Sequence, residues 1–230
     1  MKKVISLMLL ACVLLSGCGT AAEPPASELP ATKPAHTETT SALETEGVRV
    51  IQPLPDDTMD NLSDSIVNIS FGEGDFYRAD SGKAMLKFQV YTYDKYDLVD
   101  ISMLQAGDIL KTCDGEVVVV TAQVDAFGAI LINGGLDNGG LNLATNDSGI
   151  YYIQGYSDLK SWYPAGKTEL PVSDSFEFTD YADRDKGTVV LDAAAFLNDD
   201  PGIDYRYQPH DTVIRIENGQ IVAMERSYTP

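Results

Sequence analysis

The sequence predicts a mainly β fold, an antiparallel barrel-like or sandwich domain with two or three short helices. Three observations carry that prediction. Apolar and polar residues alternate through several short runs, the period of a sheet with one buried face. Gly, Asn, Asp and Ser fence those runs, and these residues turn a chain tightly. Near the end, an Asn-Gly pair separates two β-prone segments, the signature of a two-residue hairpin.

In chain order, "MLKFQVYTY" (85–93) sets Leu86, Phe88 and Val90 on one face and Lys87, Gln89 and Tyr91 on the other, as a half-buried strand requires. "DLVDISMLQAG" (97–107) reads as a short helix: Asp97 caps it, Leu98, Ile101 and Leu104 form its apolar stripe, and Gly107 stops it. "GDILKTCDGEVVVVTAQVD" (107–125) places Cys113-Asp114-Gly115 between two β-rich runs, a hairpin with a short loop. "AILIN" (129–133), "LNLAT" (141–145) and "IYYIQG" (150–155) are further short strands. "DAAAFLNDDPG" (192–202) is a second helix, capped by Asp192 and broken by Pro201-Gly202. In "TVIRIENGQIVAMERSY" (212–228), Asn218-Gly219 supplies the two positive-φ residues of a type I′ turn. Ile216 is then expected opposite Ile221, and Ile214 opposite Ala223. No internal repeat is evident.

The chain begins "MKKVISLMLLACVLLSGCGT": two lysines, then an apolar run over Val4–Leu15 of signal-peptide length. Leu15-Ser16-Gly17-Cys18 follows, with a cysteine directly after the small residues of a cleavage site. This stretch resembles the lipobox of bacterial lipoproteins. The resemblance implies that residues 1–17 are a signal peptide, that Cys18 carries the lipid, and that Cys18 becomes the new N-terminus. Two acyl chains on one residue anchor stably where a single chain is marginal. Residues 19–46 hold Pro, Ala, Thr, Ser and Glu without an aromatic residue, too little apolar area to offset the entropy of ordering. Residues 18–46 therefore read as the lipidated cysteine and a disordered tether about 30 Å long, and 47–230 as one mainly β extracytoplasmic domain with room for two small subdomains. The body resembles the small surface lipoproteins that bacteria export, Gram-positive ones above all. The resemblance implies a cell-membrane address, lipid-anchored on the extracytoplasmic face. A transporter's solute receptor is also lipid-anchored, but that class is similar to two α/β lobes on a longer chain.

Charge narrows the partners. The chain carries 16 Lys and Arg against 35 Asp and Glu, a net charge of −19. Losing residues 1–17 removes two lysines and no acid, so the mature chain stands at −21. A surface of that sign repels phosphate backbones and anionic headgroups. No nucleic acid is expected, and the membrane partner is reached through the N-terminal lipid alone. Once Cys12 and Cys18 are accounted for, Cys113 stands alone. No intramolecular disulfide forms in the mature protein, so packing must stabilise it.

The motifs exclude several chemistries. The glycine-rich stretch "NGGLDNGG" (133–140) leads into a strand, not a helix, and 112–159 holds no Lys or Arg, so a phosphate finds neither helix dipole nor cation. Its glycines and asparagines read first as corners. Asp183 and Asp185 in "DYADRDKG" come nearest a calcium loop, although the glycine stands one place late. Calcium through these two acids is the one cofactor the sequence points to; otherwise none is expected. With His210 the one histidine outside the tether, a zinc site of three His or Cys ligands is excluded by count. "GYSDL" (155–159) lacks the closing glycine of a nucleophile elbow.

Aromatic residues are the better lead. Twelve tyrosines gather in groups, with Tyr151, Tyr152, Tyr156, Trp162 and Tyr163 the densest. Ring faces cover sugar C–H groups while nearby polar side chains bond hydroxyls. These five are the expected ligand-binding residues. The reading is a membrane-anchored, non-catalytic binding or interaction module for a glycan or cell-wall polymer, its protein partner unknown and no catalytic residue assigned. The alternative is a carboxylate-dependent extracellular hydrolase, for which 35 acids provide many pairs but no pattern.

Overall fold

The structure, a computed structural model, describes residues 47–183, 185, 187–198 and 207–228. The signal-like segment, Cys18, the tether and the Pro201-Gly202 break lie outside the described residues, as does the side chain of Asp158.

The fold is mainly β with two short α-helices. In chain order it contains β1 (Val50–Ile51), β2 (Ser65–Ser70), β3 (Phe76–Arg78) and β4 (Ala84–Thr92), then β5 (Lys95–Tyr96) and α1 (Leu98–Ser102). β6 (Ile109–Thr112), β7 (Gly115–Val118), β8 (Ala122–Val124), β9 (Ile130–Ile132), β10 (Leu141–Thr145) and β11 (Tyr151–Gln154) follow. The long β12 (Tyr163–Asp180), β13 (Val189–Asp192), α2 (Ala193–Asn198), β14 (Thr212–Glu217) and β15 (Gln220–Arg226) complete it.

β12 closes a barrel-like ring. Its first half runs antiparallel to β4, from Tyr163↔Thr92 to Pro171↔Met85, and its second half runs parallel to β15, ending at Asp180↔Arg226. β15 pairs with β14, β14 with β2, and β2 with β4, so five strands return to their start. Alternation puts Val67, Ile69, Leu86, Phe88, Val90, Phe178, Ile214, Ile216, Ile221 and Met224 inside. α2 lies against this core through Phe196, whose ring centre is 4.6 Å from Phe76 and 4.9 Å from Phe178. Burying a side chain of that size contributes about 2–3 kcal/mol. Asp192 caps α2 as expected, its Oδ1 accepting the Ala195 N–H at 2.7 Å.

The C-terminal hairpin corrects one expectation. Ile216 does face Ile221, but Ile214 faces Met224 and Arg215 faces Ala223. Val222 is an extra residue, a bulge that shifts every later side chain by one position. The bulge turns Met224 and Arg226 inward and leaves Glu225 in solvent; without it Ala223 and Glu225 would point at the core. Inside, Arg226 meets Asp180 through Nε–Oδ1 at 3.0 Å and Nη2–Oδ2 at 2.5 Å.

Residues 93–162 depart from the barrel between β4 and β12 and pack around a second core of Ile51, Tyr96, Ile101, Leu110, Val119, Ile130, Ile132, Leu143 and Ile153. β1 joins β6 in parallel, and β7 pairs with β6. A second sheet runs in the order β5-β11-β10-β9-β8. The run after Gly115 is therefore two strands, β7 and β8, split between sheets at Val119–Thr121. α1 is shorter than expected: Asp97 does cap it, accepting from Val99 N–H at 2.7 Å, but it ends at Ser102 and Leu98 is exposed. Arg49 fixes its end, donating to the Met103 carbonyl and to Asp108 Oδ2, each at 2.7 Å. No helix among the described residues is long and apolar enough to cross a membrane.

Candidate functional site

The second core determines which tyrosines reach the surface. Along β11, Tyr151 and Ile153 turn toward that core, so Tyr152 must point the other way. Lys95 on β5 pairs with Tyr152 and therefore shares its outer face. Tyr93 and Trp162 stand on two of the chain crossings at the neck, one residue beyond the Thr92↔Tyr163 pair. The three rings meet edge to face: Tyr93 lies 5.9 Å from Tyr152 and 5.1 Å from Trp162, with planes near perpendicular.

Two ammonium groups cap the cluster. Lys160 Nζ lies 4.3 Å from the centre of the Tyr93 ring, 5.5 Å from Tyr152 and 5.4 Å from Trp162. Lys95 Nζ lies 5.4 Å from the Tyr93 ring. All five side chains are half-buried, so part of each faces solvent. The arrangement offers apolar ring surface beside two cations, on a chain that is otherwise acidic.

Of the five expected residues, Tyr152 and Trp162 thus come together. Tyr151 packs against the second core, and Tyr156 stands apart with three quarters of its surface exposed (74 %). Tyr163 faces inward at the neck, donating to Asp94 Oδ1 at 3.2 Å while the Cys113 N–H donates to Asp94 Oδ2 at 2.7 Å. Partial desolvation and then the Asp94 charge push the Cys113 thiol up to about 11. The same two causes, in that order, raise the Tyr163 and Tyr96 phenols well above their ordinary range. Tyr93, Lys95 and Lys160 were not in the sequence reading of the site. Tyr93 belongs to the group Tyr91, Tyr93, Tyr96, and period-2 alternation outward from the buried Val90, Thr92 and Asp94 would have placed it on the surface.

The glycine-rich stretch serves as corners. Gly134, Gly135 and Gly139 have positive φ, and a Cβ on Gly140 would lie 2.0 Å from the Ile132 carbonyl oxygen. Side-chain amides in and beside it bond backbone: Asn133 Oδ1 accepts from Val120 N–H at 2.7 Å, and Asn142 Oδ1 from Leu136 N–H at 3.1 Å. Asp183 Oδ1 accepts the N–H of Asp185 at 3.0 Å, an Asx turn. Among the described residues no three His, Cys, Asp or Glu side chains gather as metal ligands would. His210 is exposed in the turn before β14, 3.9 Å from Asp211. The buried carboxylates each hold a named partner: Asp94 as above, Asp108 with Arg49, and Asp180 with Arg226. A cleft of about 370 Å³ opens beside the barrel, lined by Phe71, Phe76, Phe196 and Tyr207 together with Glu73 and Gln208. A polar groove of about 390 Å³ on its outer face carries Glu177 and Glu225.

Compared with known proteins, the chain matches no family model, no curated protein and no solved structure.

Proposed function

We propose that this chain is a lipid-anchored, extracytoplasmic, non-catalytic module that binds a glycan or cell-wall polymer. Cys18 is the lipidated residue, and residues 18–46 tether the body to the outer face of the cell membrane. The observation that carries the binding reading is the surface cluster of Tyr93, Tyr152 and Trp162, three rings on one half-buried patch. Aromatic ring faces beside polar side chains suit the alternating C–H and hydroxyl surface of a sugar ring.

Two measurements test the proposal. Full-length protein, purified in detergent and probed against an oligosaccharide array, should bind at least one sugar class, and Trp162→Ala or Tyr152→Ala should weaken that binding about tenfold or more. An array on which the wild type binds nothing rejects the glycan reading. Metabolic labelling with a fatty acid should mark the wild type but not Cys18→Ala; a labelled Cys18→Ala protein rejects the anchor.

A further inference from the structure

We infer that the ring cluster selects saccharides bearing a single acidic group, a carboxylate or phosphate on the sugar, with Lys160 and Lys95 as its recognition pair. This rests on the glycan reading above and sharpens it.

The inference starts from the distribution of charge. Residues 93–162 contain ten acids and three lysines, with no arginine. One of those lysines, Lys111, is paired with Glu116 at 3.3 Å. The other two, Lys95 and Lys160, form no ion pair among the described residues, and both place their ammonium over the same Tyr93 ring. In a lobe so rich in carboxylates, two lysines held against aromatic faces and not paired with an acid among the described residues stand out. An exposed cation–π contact contributes only about 0.5–1 kcal/mol, so an arriving carboxylate or phosphate outcompetes it with a charge-assisted hydrogen bond.

The rings also restrain the two long side chains before any ligand arrives. Less rotamer entropy is then lost on binding, which favours affinity. A sugar ring laid on Trp162 or Tyr152 brings its acidic substituent toward Lys160, which borders all three rings. The net charge of −19 over the chain limits the ligand from the other side: a long polyanion is repelled strongly by the surrounding surface, a single acidic group far less.

Trp162 is the only tryptophan in the chain, so its fluorescence reports this site alone. Full-length protein is titrated with oligosaccharides of equal length ending in glucose, glucuronate or glucose 6-phosphate. At least one acid-terminated sugar should bind about tenfold or more tighter than the neutral one, and comparison of the two acid arms identifies the preferred group. The Lys95→Met/Lys160→Met variant keeps the aliphatic stems and should bind acidic and neutral sugars within about twofold of each other. High salt should erode the preference as screening predicts. Equal binding of acidic and neutral sugars by the wild type overturns this inference but leaves the glycan reading standing, and so does a preference that survives in the double variant. A fluorescence signal unmoved by every sugar overturns this inference, while the oligosaccharide array alone decides the glycan reading.

Discussion

Arg226 offers a measurable test of the barrel's interior. Arg226 is 2 % exposed and its partner Asp180 6 %, and the guanidinium lies 4.8 Å from the Tyr207 ring centre and 6.0 Å from that of Phe178. Arg226→Met keeps the apolar stem between those rings but leaves the Asp180 carboxylate in the interior without its cation. Removing one member of a buried pair costs about 3–5 kcal/mol, because the remaining charge stays desolvated. At about 2–4 °C per kcal/mol for a domain of this size, the melting temperature should fall by roughly 6–20 °C. Thermal and urea denaturation followed by circular dichroism measure it. Asp180→Leu combined with Arg226→Met removes both charges and should recover most of the loss, since the two desolvation penalties vanish together. Arg215→Met is the control: its ion pair with Glu217 is half exposed and should contribute less than about 1 kcal/mol. If Arg226→Met costs no more than Arg215→Met, the pair is not desolvated and the inward turn at the Val222 bulge is wrong.

Gly140→Ala should destabilise by about 3 kcal/mol or more, because its Cβ would sit 2.0 Å from the Ile132 carbonyl oxygen. Gly139→Ala meets no atom and bears only the strain of φ +77°, about 1–2 kcal/mol; urea midpoints that reverse this order contradict the corner assignment. Stability should also fall as pH rises between about 9 and 11. There the unfolded chain loses the Cys113, Tyr96 and Tyr163 protons at ordinary values while the folded state still holds them, so unfolding is favoured. Melting temperatures across that range check it, and Asp94→Asn should flatten the fall by removing the shared charge.

How much of this was legible in the sequence depended on the range of the interaction. Leu86, Phe88 and Val90 announce β4 because a half-buried strand writes its period locally. Asp97 and Asp192 announce the two helix starts, since capping is a contact across two or three residues. The long β12 was not legible: Pro164, Pro171 and Gly166 break its pattern, and it keeps its extended form through partners elsewhere in the chain. The bulge at Val222 was equally hidden. Its reason is the burial of Met224 against Ile214 and of Arg226 against Asp180, both matters of the assembled barrel. The site divides the same way. Tyr152 and Trp162 fall in the densest aromatic group, whereas Tyr93 lies far away in sequence and joins them only because Thr92 and Tyr163 are paired.

That pairing explains how the rings are held in order. A lobe joined to a barrel by three crossings, between β1 and β2, at Tyr93 and at Trp162, would swing if the crossings were independent. Here they are laced together. Thr92 and Tyr163 are paired, Thr92 Oγ1 donates to Asp56 at 3.0 Å, and the Leu54 N–H donates to the Lys95 carbonyl at 2.6 Å. Asp94, 3 % exposed, then takes one hydrogen bond from the lobe at Cys113 and one from β12 at Tyr163. A buried carboxylate is costly unless its oxygens are satisfied, so these bonds resist being broken one at a time. Tyr93 and Trp162 each sit next to a residue fixed by this lacing, and their geometry follows from it. The aromatic patch is therefore held by the same contacts that hold the lobe to the barrel, and a neck that loosened would scatter the rings.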